Sequence, residues 1–158
     1  MTNKRLKKTA AADGSTVPAL VLDGKDFGLS LSKLSNAAQK VVKQLHQSGF
    51  DAMVVGGGVR DLMVGLTPKD FDIATNATPE EVRAVFKRSR IIGRRFRIVH
   101  VMAGPETIEV TTYRGGDEVT QNEEGRIMRD NTFGSHAEDA LRRDFTCNAL
   151  YYYALSNQ

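Results

Sequence analysis

The sequence predicts an α+β fold, a small mixed sheet flanked by helices. Three observations carry that prediction. Short apolar or alternating runs bounded by turn residues recur along the chain, as strands do: "DAMVV" (51–55), "KDFDIAT" (69–75), and the pair "RFRIVHVMA" (95–103) and "ETIEVTTYR" (106–114). Between them lie stretches with helical spacing and N-terminal capping signatures, with no internal repeat. A length of 158 residues, 41% hydrophobic and 26% charged, suits one globular domain with its own core.

The elements follow in order. Residues 1–30, beginning "MTNKRLKKTAAADGSTVP", read as a flexible basic tail that includes a short strand at "ALVLDG" (19–24). Ser32 can cap a helix on which Leu34, Ala38, Val41 and Leu45 share one face, with Gly49 as the stop. "DAMVVGG" is a short buried strand running into glycines, and "GVRDLMVG" is one or two helical turns ended by Gly65. "KDFDIAT" is the next strand. In "TPEEVRAVFKR", Thr78, Pro79 and Glu81 supply an N-cap, an N1 proline and a capping-box glutamate. Gly104-Pro105 turns the two β-rich runs into a hairpin. The polar segment 115–134 shows no period and reads as a mobile loop. Ser135 and Glu138 form a second capping box, opening a helix on which Leu141, Phe145 and Ala149 are helically spaced.

Several function classes drop out on composition. One cysteine, Cys147, precludes an internal disulfide and suits a reducing cytoplasm; its apolar neighbours in "DFTCNAL" mark it as a small buried side chain. His46, His100 and His136 are scattered and show no zinc-ligand spacing. No apolar run approaches the ~20 residues of a membrane span, and the N-terminus lacks the apolar core of a secretory signal. The net charge of +3 is unevenly spread. Residues 83–97, "RAVFKRSRIIGRRFR", hold seven cations and no acid, a density suited to neutralising phosphates.

The chemistry concentrates in "VVGGGVRDLMVGLTPKDFDIAT" (54–75). On a strand, Asp70 and Asp72 project to the same face while Phe71 and Ile73 turn to the core. Paired carboxylates repel unless a divalent cation bridges them. Mg²⁺ accepts one or two carboxylates completed by water and substrate phosphates, the usual device of phosphoryl and nucleotidyl transfer. Alone, D-x-D also fits a solvated strand end. Glu109 is a third acid, mid-strand with Thr107, Thr111 and Tyr113 on its face; it is either an exposed edge residue or a neighbour of the Asp70 strand. The glycines fit neither G-x-G-x-x-G, since Asp61 stands where the third should be, nor a Walker loop, since no G-K-[ST] follows. They leave backbone amides at a helix start, which bind phosphate. Arg60 could add a charge-assisted contact or pair with Asp61 at the surface. On the last helix, Arg142 and Arg143 diverge by about 100°, and Asp144 can pair with Arg143 as an ordinary surface contact.

Taken together, "VVGGGVRDLMVG…KDFDIATNATPEEV", "IEVTTYRG" and "RRDFTCNALYY" closely resemble the head domain of class II nucleotidyltransferases, over about residues 34–153. That superfamily holds bacterial poly(A) polymerases and tRNA CCA-adding enzymes. The resemblance implies a polymerase-β-like nucleotidyltransferase palm over residues 31–158, without the neck, body and tail domains of full-length relatives. By position, it implies that Asp70 and Asp72 are the catalytic metal-binding pair, with Mg²⁺ or Mn²⁺ as the ion. Gly57, Gly58 and Arg60 would contact the triphosphate, Glu109 would be the additional strand carboxylate, and Arg143 and Asp144 would serve nucleotide binding and the active site as the "RRD" motif. The implied reaction is attack of an RNA 3′-hydroxyl on the α-phosphate of ATP, with pyrophosphate leaving.

"IIGRRFRIVHV" (91–101) resembles the block that separates the poly(A) branch from CCA-adding relatives. Arg94, Arg95 and Arg97 alternate imperfectly along the strand, so some of them should face RNA or phosphate and others solvent. "EDALR" (138–142) fits the family's base-selecting neck pattern, but it precedes "RDFT", where the neck motif should follow; Glu138 is therefore a helix-cap partner. The alternatives are a tRNA CCA-adding enzyme and a non-catalytic nucleotide- or RNA-binding module.

Overall fold

The computed structural model describes residues 5–10, 16–115, 120, 121, 127–129 and 133–158. Six strands form a mixed sheet in the order β10-β3-β4-β7-β6-β5. Along the chain these are β3 (Met53–Val55), β4 (Asp72–Thr75), β5 (Ser89–Ile92), β6 (Ile98–Ala103), β7 (Glu106–Thr112) and β10 (Tyr151–Tyr152). All neighbours are antiparallel except β4 and β7, which run parallel in the middle of the sheet. The β6–β7 hairpin turns at Gly104-Pro105 as its sequence requires.

One face of the sheet is apolar and carries helices α1 (Asn36–Gln47) and α3 (Pro79–Val85). Val41, Val42 and Leu45 of α1 and Val82 of α3 meet Ile73, Val99, Val101, Ile108 and Val110, all essentially buried. Each strand supplies every second residue to this core, the consequence of the two-residue side-chain period. α3 starts at the expected capping box: Thr78 Oγ1 accepts from the Glu81 amide, and Glu81 Oε2 accepts from the Thr78 amide at 2.7 Å.

The N-terminal reading needs correction. Within residues 1–30, β1 (Arg5–Ala10) and β2 (Thr16–Val21) pair as an antiparallel ladder. Gly24–Phe27 then forms a 3-10 turn tied to the C-terminus by the Gly24 amide and the Asn157 carbonyl at 2.8 Å, and Leu29 and Leu34 join the core. The cap of α1 is Ser35, not Ser32, its Oγ accepting from the Ala38 amide at 3.1 Å. Leu34 is extended, which separates a short 3-10 turn (Leu31–Lys33) from the helix proper.

Three further expectations fail. β5 was not foreseen, and Arg94, Arg95 and Arg97 lie in the connection after it, outside either strand. The last helix, α4 (His136–Leu141), opens on the predicted Ser135–Glu138 capping box but ends long before Ala149. The chain then turns through Phe145, whose φ is 57°, into a 3-10 turn, Thr146–Asn148. Leu141 and Phe145 are left exposed, and Cys147 is exposed rather than buried. Of the segment read as a mobile loop, β8 (Thr120–Gln121) and β9 (Ile127–Arg129) pair antiparallel; the reading otherwise falls mainly on residues outside those described. Among the described residues, no helix is long and apolar enough to cross a membrane.

Candidate active site

The acids and the glycines come together. α2 (Gly57–Met63) begins directly after β3, with Gly56 as its N-cap at φ 73° and ψ −144°, a backbone conformation that L side chains rarely adopt. A Cβ on Gly56 would lie 4.0 Å from Asp72 Oδ2, so the start of the helix sits against that carboxylate. A Cβ on Gly58 would lie only 3.3 Å from the Asp70 carbonyl oxygen, which explains why the helix tolerates no side chain there without movement. Both halves of the 54–75 stretch therefore border one location.

The sheet register shows what else is there. Directly paired residues on neighbouring strands point to the same face. Tyr151 pairs with Val55, Val55 with Asp72, Asp72 with Glu109, Glu109 with His100, and His100 with Arg90. One row thus crosses all six strands on the face opposite α1 and α3, with two acids at its centre. Asp70, two residues before Asp72 and just outside β4, is exposed beside it, while Phe71 and Ile73 are buried in the core. Glu109 is no edge residue, because β7 lies between β4 and β6. Its Oε2 lies 3.6 Å from His100 Nε2.

The electrostatics follow from this crowding. The Asp72 carboxyl is held above its ordinary pKa first by burial, then by the neighbouring Glu109 and Asp70 charges, with Arg143 opposing. A carboxylate whose ionised form is disfavoured by two like charges fits a divalent cation. No set of three or more His, Cys, Asp or Glu ligands close enough to enclose a metal occurs among the described residues. The neighbouring Asp72 and Asp70 carboxylates are the donors such an ion would meet.

The predicted cations are placed unequally. Arg60 pairs with Asp61, Nε to Oδ1 at 3.0 Å, and its Nη1 donates to Asn148 Oδ1 at 2.9 Å, fastening α2 to the turn after α4. Arg143 does not pair with Asp144. It donates to Asp139 Oδ2 from Nε at 3.1 Å and Nη2 at 3.0 Å, and from Nε to the Tyr151 hydroxyl at 2.8 Å. Arg142 donates instead to the Gly115 carbonyl at 2.7 Å, so the adjacent arginines do diverge. Asp144 is exposed. Arg94 and Arg95 are exposed on the 93–97 turn, and Arg97 pairs with Glu80 of α3. On the same turn Phe96 lies under the Arg114 guanidinium, 4.3 Å from ring centroid to Cζ.

His100, Arg90, Asp139 and Tyr151 escaped sequence reasoning. The signal for the first two was present: reading "SRII" as a strand paired with "RIVHV" across the arginine turn sets Arg90 opposite His100.

Known proteins share this chain's sequence and fold. A family model described as the Poly A polymerase head domain matches residues 52–158. Poly(A) polymerase I of Escherichia coli is 51% identical over 140 residues, which cover 84% of this chain and 30% of that protein. The CCA-adding enzyme of Staphylococcus aureus is 36% identical over 118 residues, covering 74% of this chain and 29% of that one. Among solved structures, the Bacillus stearothermophilus CCA-adding enzyme in complex with CTP matches with a TM-score of 0.60 at 36% identity, over 77% of this chain and 28% of that one. The chain spans about 30% of the length of the curated relatives it matches.

Proposed function

This chain belongs to the poly(A) polymerase head-domain family, and from that premise we propose that its acid-bearing sheet face transfers AMP from ATP to RNA 3′ ends. The observation that carries the proposal is the row through Asp72 and Glu109, flanked by Asp70 and by the glycine-started α2. Asp70 and Asp72 are the residues that would hold Mg²⁺, or Mn²⁺ in its place. The ion would supply charge neutralisation at the attacking and leaving oxygens and lower the pKa of the attacking hydroxyl.

The chain's own residues divide the remaining work. Gly57 and Gly58 open α2 and offer backbone amides to a triphosphate without steric hindrance. Arg60 and Arg143 add positive charge for the triphosphate and the leaving pyrophosphate. Glu109 adds negative charge beside Asp72, and Asp144 follows Arg143 as the acid of the motif. Arg94 and Arg95, exposed on the 93–97 turn, meet RNA phosphate, with Arg97, paired with Glu80, beside them. The domain is residues 31–158 together with the turn from Gly24, and its place of work is the cytoplasm. Adenine preference is proposed from the 46–51% identity to poly(A) polymerases of several bacteria, against 36% to CCA-adding enzymes.

Primer extension tests the proposal. With an RNA primer and Mg²⁺, ATP should be incorporated repeatedly and the other three triphosphates poorly. Addition of two C and one A, then arrest, would instead make the chain a CCA-adding enzyme. Binding of RNA and ATP with no incorporation would make it a binding module.

A further inference from the structure

We infer that Asp139 and Tyr151 are positioning residues whose joint grip fixes the Arg143 guanidinium beside the nucleotide site. This rests on the proposal that Arg143 contacts the nucleotide, and adds what holds it there. Asp139 is a buried carboxylate, 5% exposed, on a short helix over the acid-bearing face. Both its oxygens are engaged. Oδ1 accepts the Arg114 backbone amide at 3.0 Å, tying α4 to the end of β7. Oδ2 accepts from Arg143 Nε and Nη2 and from the Tyr151 hydroxyl.

Tyr151 closes the triangle. Its ring lies beneath Arg143, 5.2 Å from centroid to Cζ, and its hydroxyl accepts from Arg143 Nε. The ring in turn packs edge-on against His136 at 4.3 Å. Register then aims the assembly: Tyr151 stands two strands from Asp72 on the same row, roughly 10 Å at the backbone given the spacing of strands. Arg143 keeps 26% of its side chain exposed while Asp139 clamps the Nε–Nη2 edge of its guanidinium.

Without these partners, a long arginine following the end of a six-residue helix would sample many rotamers, at an entropic cost when it meets a ligand. With them the fork is pre-organised. The charge on Arg143 is opposed by burial but favoured more by Tyr151 and Asp139, so the guanidinium stays charged in its half-buried place.

The test is a double-mutant cycle on the whole chain, read by calorimetric binding of Mg²⁺-ATP. Arg143→Ala and Asp139→Asn should each weaken ATP binding by about tenfold or more, as for loss of a hydrogen bond to a charged group. The double variant should be no worse than Arg143→Ala alone. Tyr151→Phe should give a smaller loss of the same kind. The Arg143 Nε–H resonance, narrow and exchange-protected in the parent, should broaden or exchange faster in Asp139→Asn and Tyr151→Phe while backbone amide shifts elsewhere hold. Additive losses, parental affinity in Asp139→Asn beside a defective Arg143→Ala, or an unchanged Arg143 resonance would overturn the inference. If Arg143→Ala binds like the parent while Asp72→Ala does not, the role of Arg143 fails but the metal–nucleotide reading survives. If Asp72→Ala also binds like the parent, that reading fails with it.

Discussion

The two faces of the central sheet are built from alternate residues of the same strands, and they answer to opposite demands. On one face Ile73, Ile108, Val110, Val99 and Val101 are sealed beneath α1 and α3, every group in contact with its like. On the other, residues one position away, Asp72, Glu109, His100 and Arg90, stand in a charged row with Asp70 beside it. The first face lowers the free energy of the fold. The second raises it, because carboxylates crowd each other and are partly buried. A chain can carry that strain only because the first face supplies the stability, and on the proposed function a cation and a triphosphate would relieve it. Substitutions on the two faces should therefore change stability in opposite directions and activity in inverse proportion.

The largest effect expected is on the acid face. Asp72→Ala should reduce primer extension by roughly a thousandfold, in keeping with the several kcal/mol a catalytic metal site provides, with the far-UV circular dichroism unchanged. A folded variant that retains extension would remove Asp72 from the chemistry. On the core face, Ile108→Ala should lower unfolding free energy by about 2–5 kcal/mol through cavity formation, measured by urea titration. A loss well under that range would mean the sheet–helix interface is looser than its burial implies.

The contrast sharpens when only charge is changed. Asp72 has a raised pKa in the folded state, so the folded protein holds that proton more tightly than the unfolded chain. The Asp72 contribution to metal-free stability should therefore be greatest at low pH, and fall as pH rises from the ordinary carboxylate value through the raised one. Asp72→Asn should flatten that limb and raise the melting temperature at neutral pH, by on the order of 2 °C. A lower melting temperature would show that the acid face is not strained. Smaller still, Arg94→Ala should leave melting unchanged and lessen the salt dependence of RNA binding by about one unit of log–log slope. An unchanged slope would take that arginine off the RNA path.

How far the sequence could be read depended on whether local signals settled the matter. Capping boxes at Thr78 and Ser135 and the Gly104-Pro105 hairpin are local, and each stands where the residues imply. The carboxylate pair was legible from two-residue periodicity, and its third member Glu109 from strand position. Its adjacency to Asp72, however, depends on a parallel pairing between strands 37 residues apart in register, which no local pattern specifies. Ser32 lost to Ser35 because Leu34 is extended and serves the core before the helix starts. The last helix was overextended because Phe145 and Ala149 keep helical spacing, while the chain turns at Arg142 to place Asn148 against Arg60. Sequence alone runs a strand through Arg94, Arg95 and Arg97 because β5 is four residues long, with polar Ser89 buried and apolar Ile92 exposed, so its hydropathy does not mark its end. Of the partners of Asp139 only Arg143, four residues on, is local; Tyr151 and the Arg114 amide lie 12 and 25 residues away, which no local pattern specifies.

On the proposed function the acid face is a strained metal–nucleotide site. Thermal unfolding of the parent and Asp72→Asn at neutral pH, each with and without Mg²⁺ and ATP, tests it whether or not the chain extends RNA by itself. The parent should melt markedly higher with Mg²⁺ and ATP together than with either alone, whereas Asp72→Asn should start higher and gain almost nothing. Equal gains in both proteins would contradict the account.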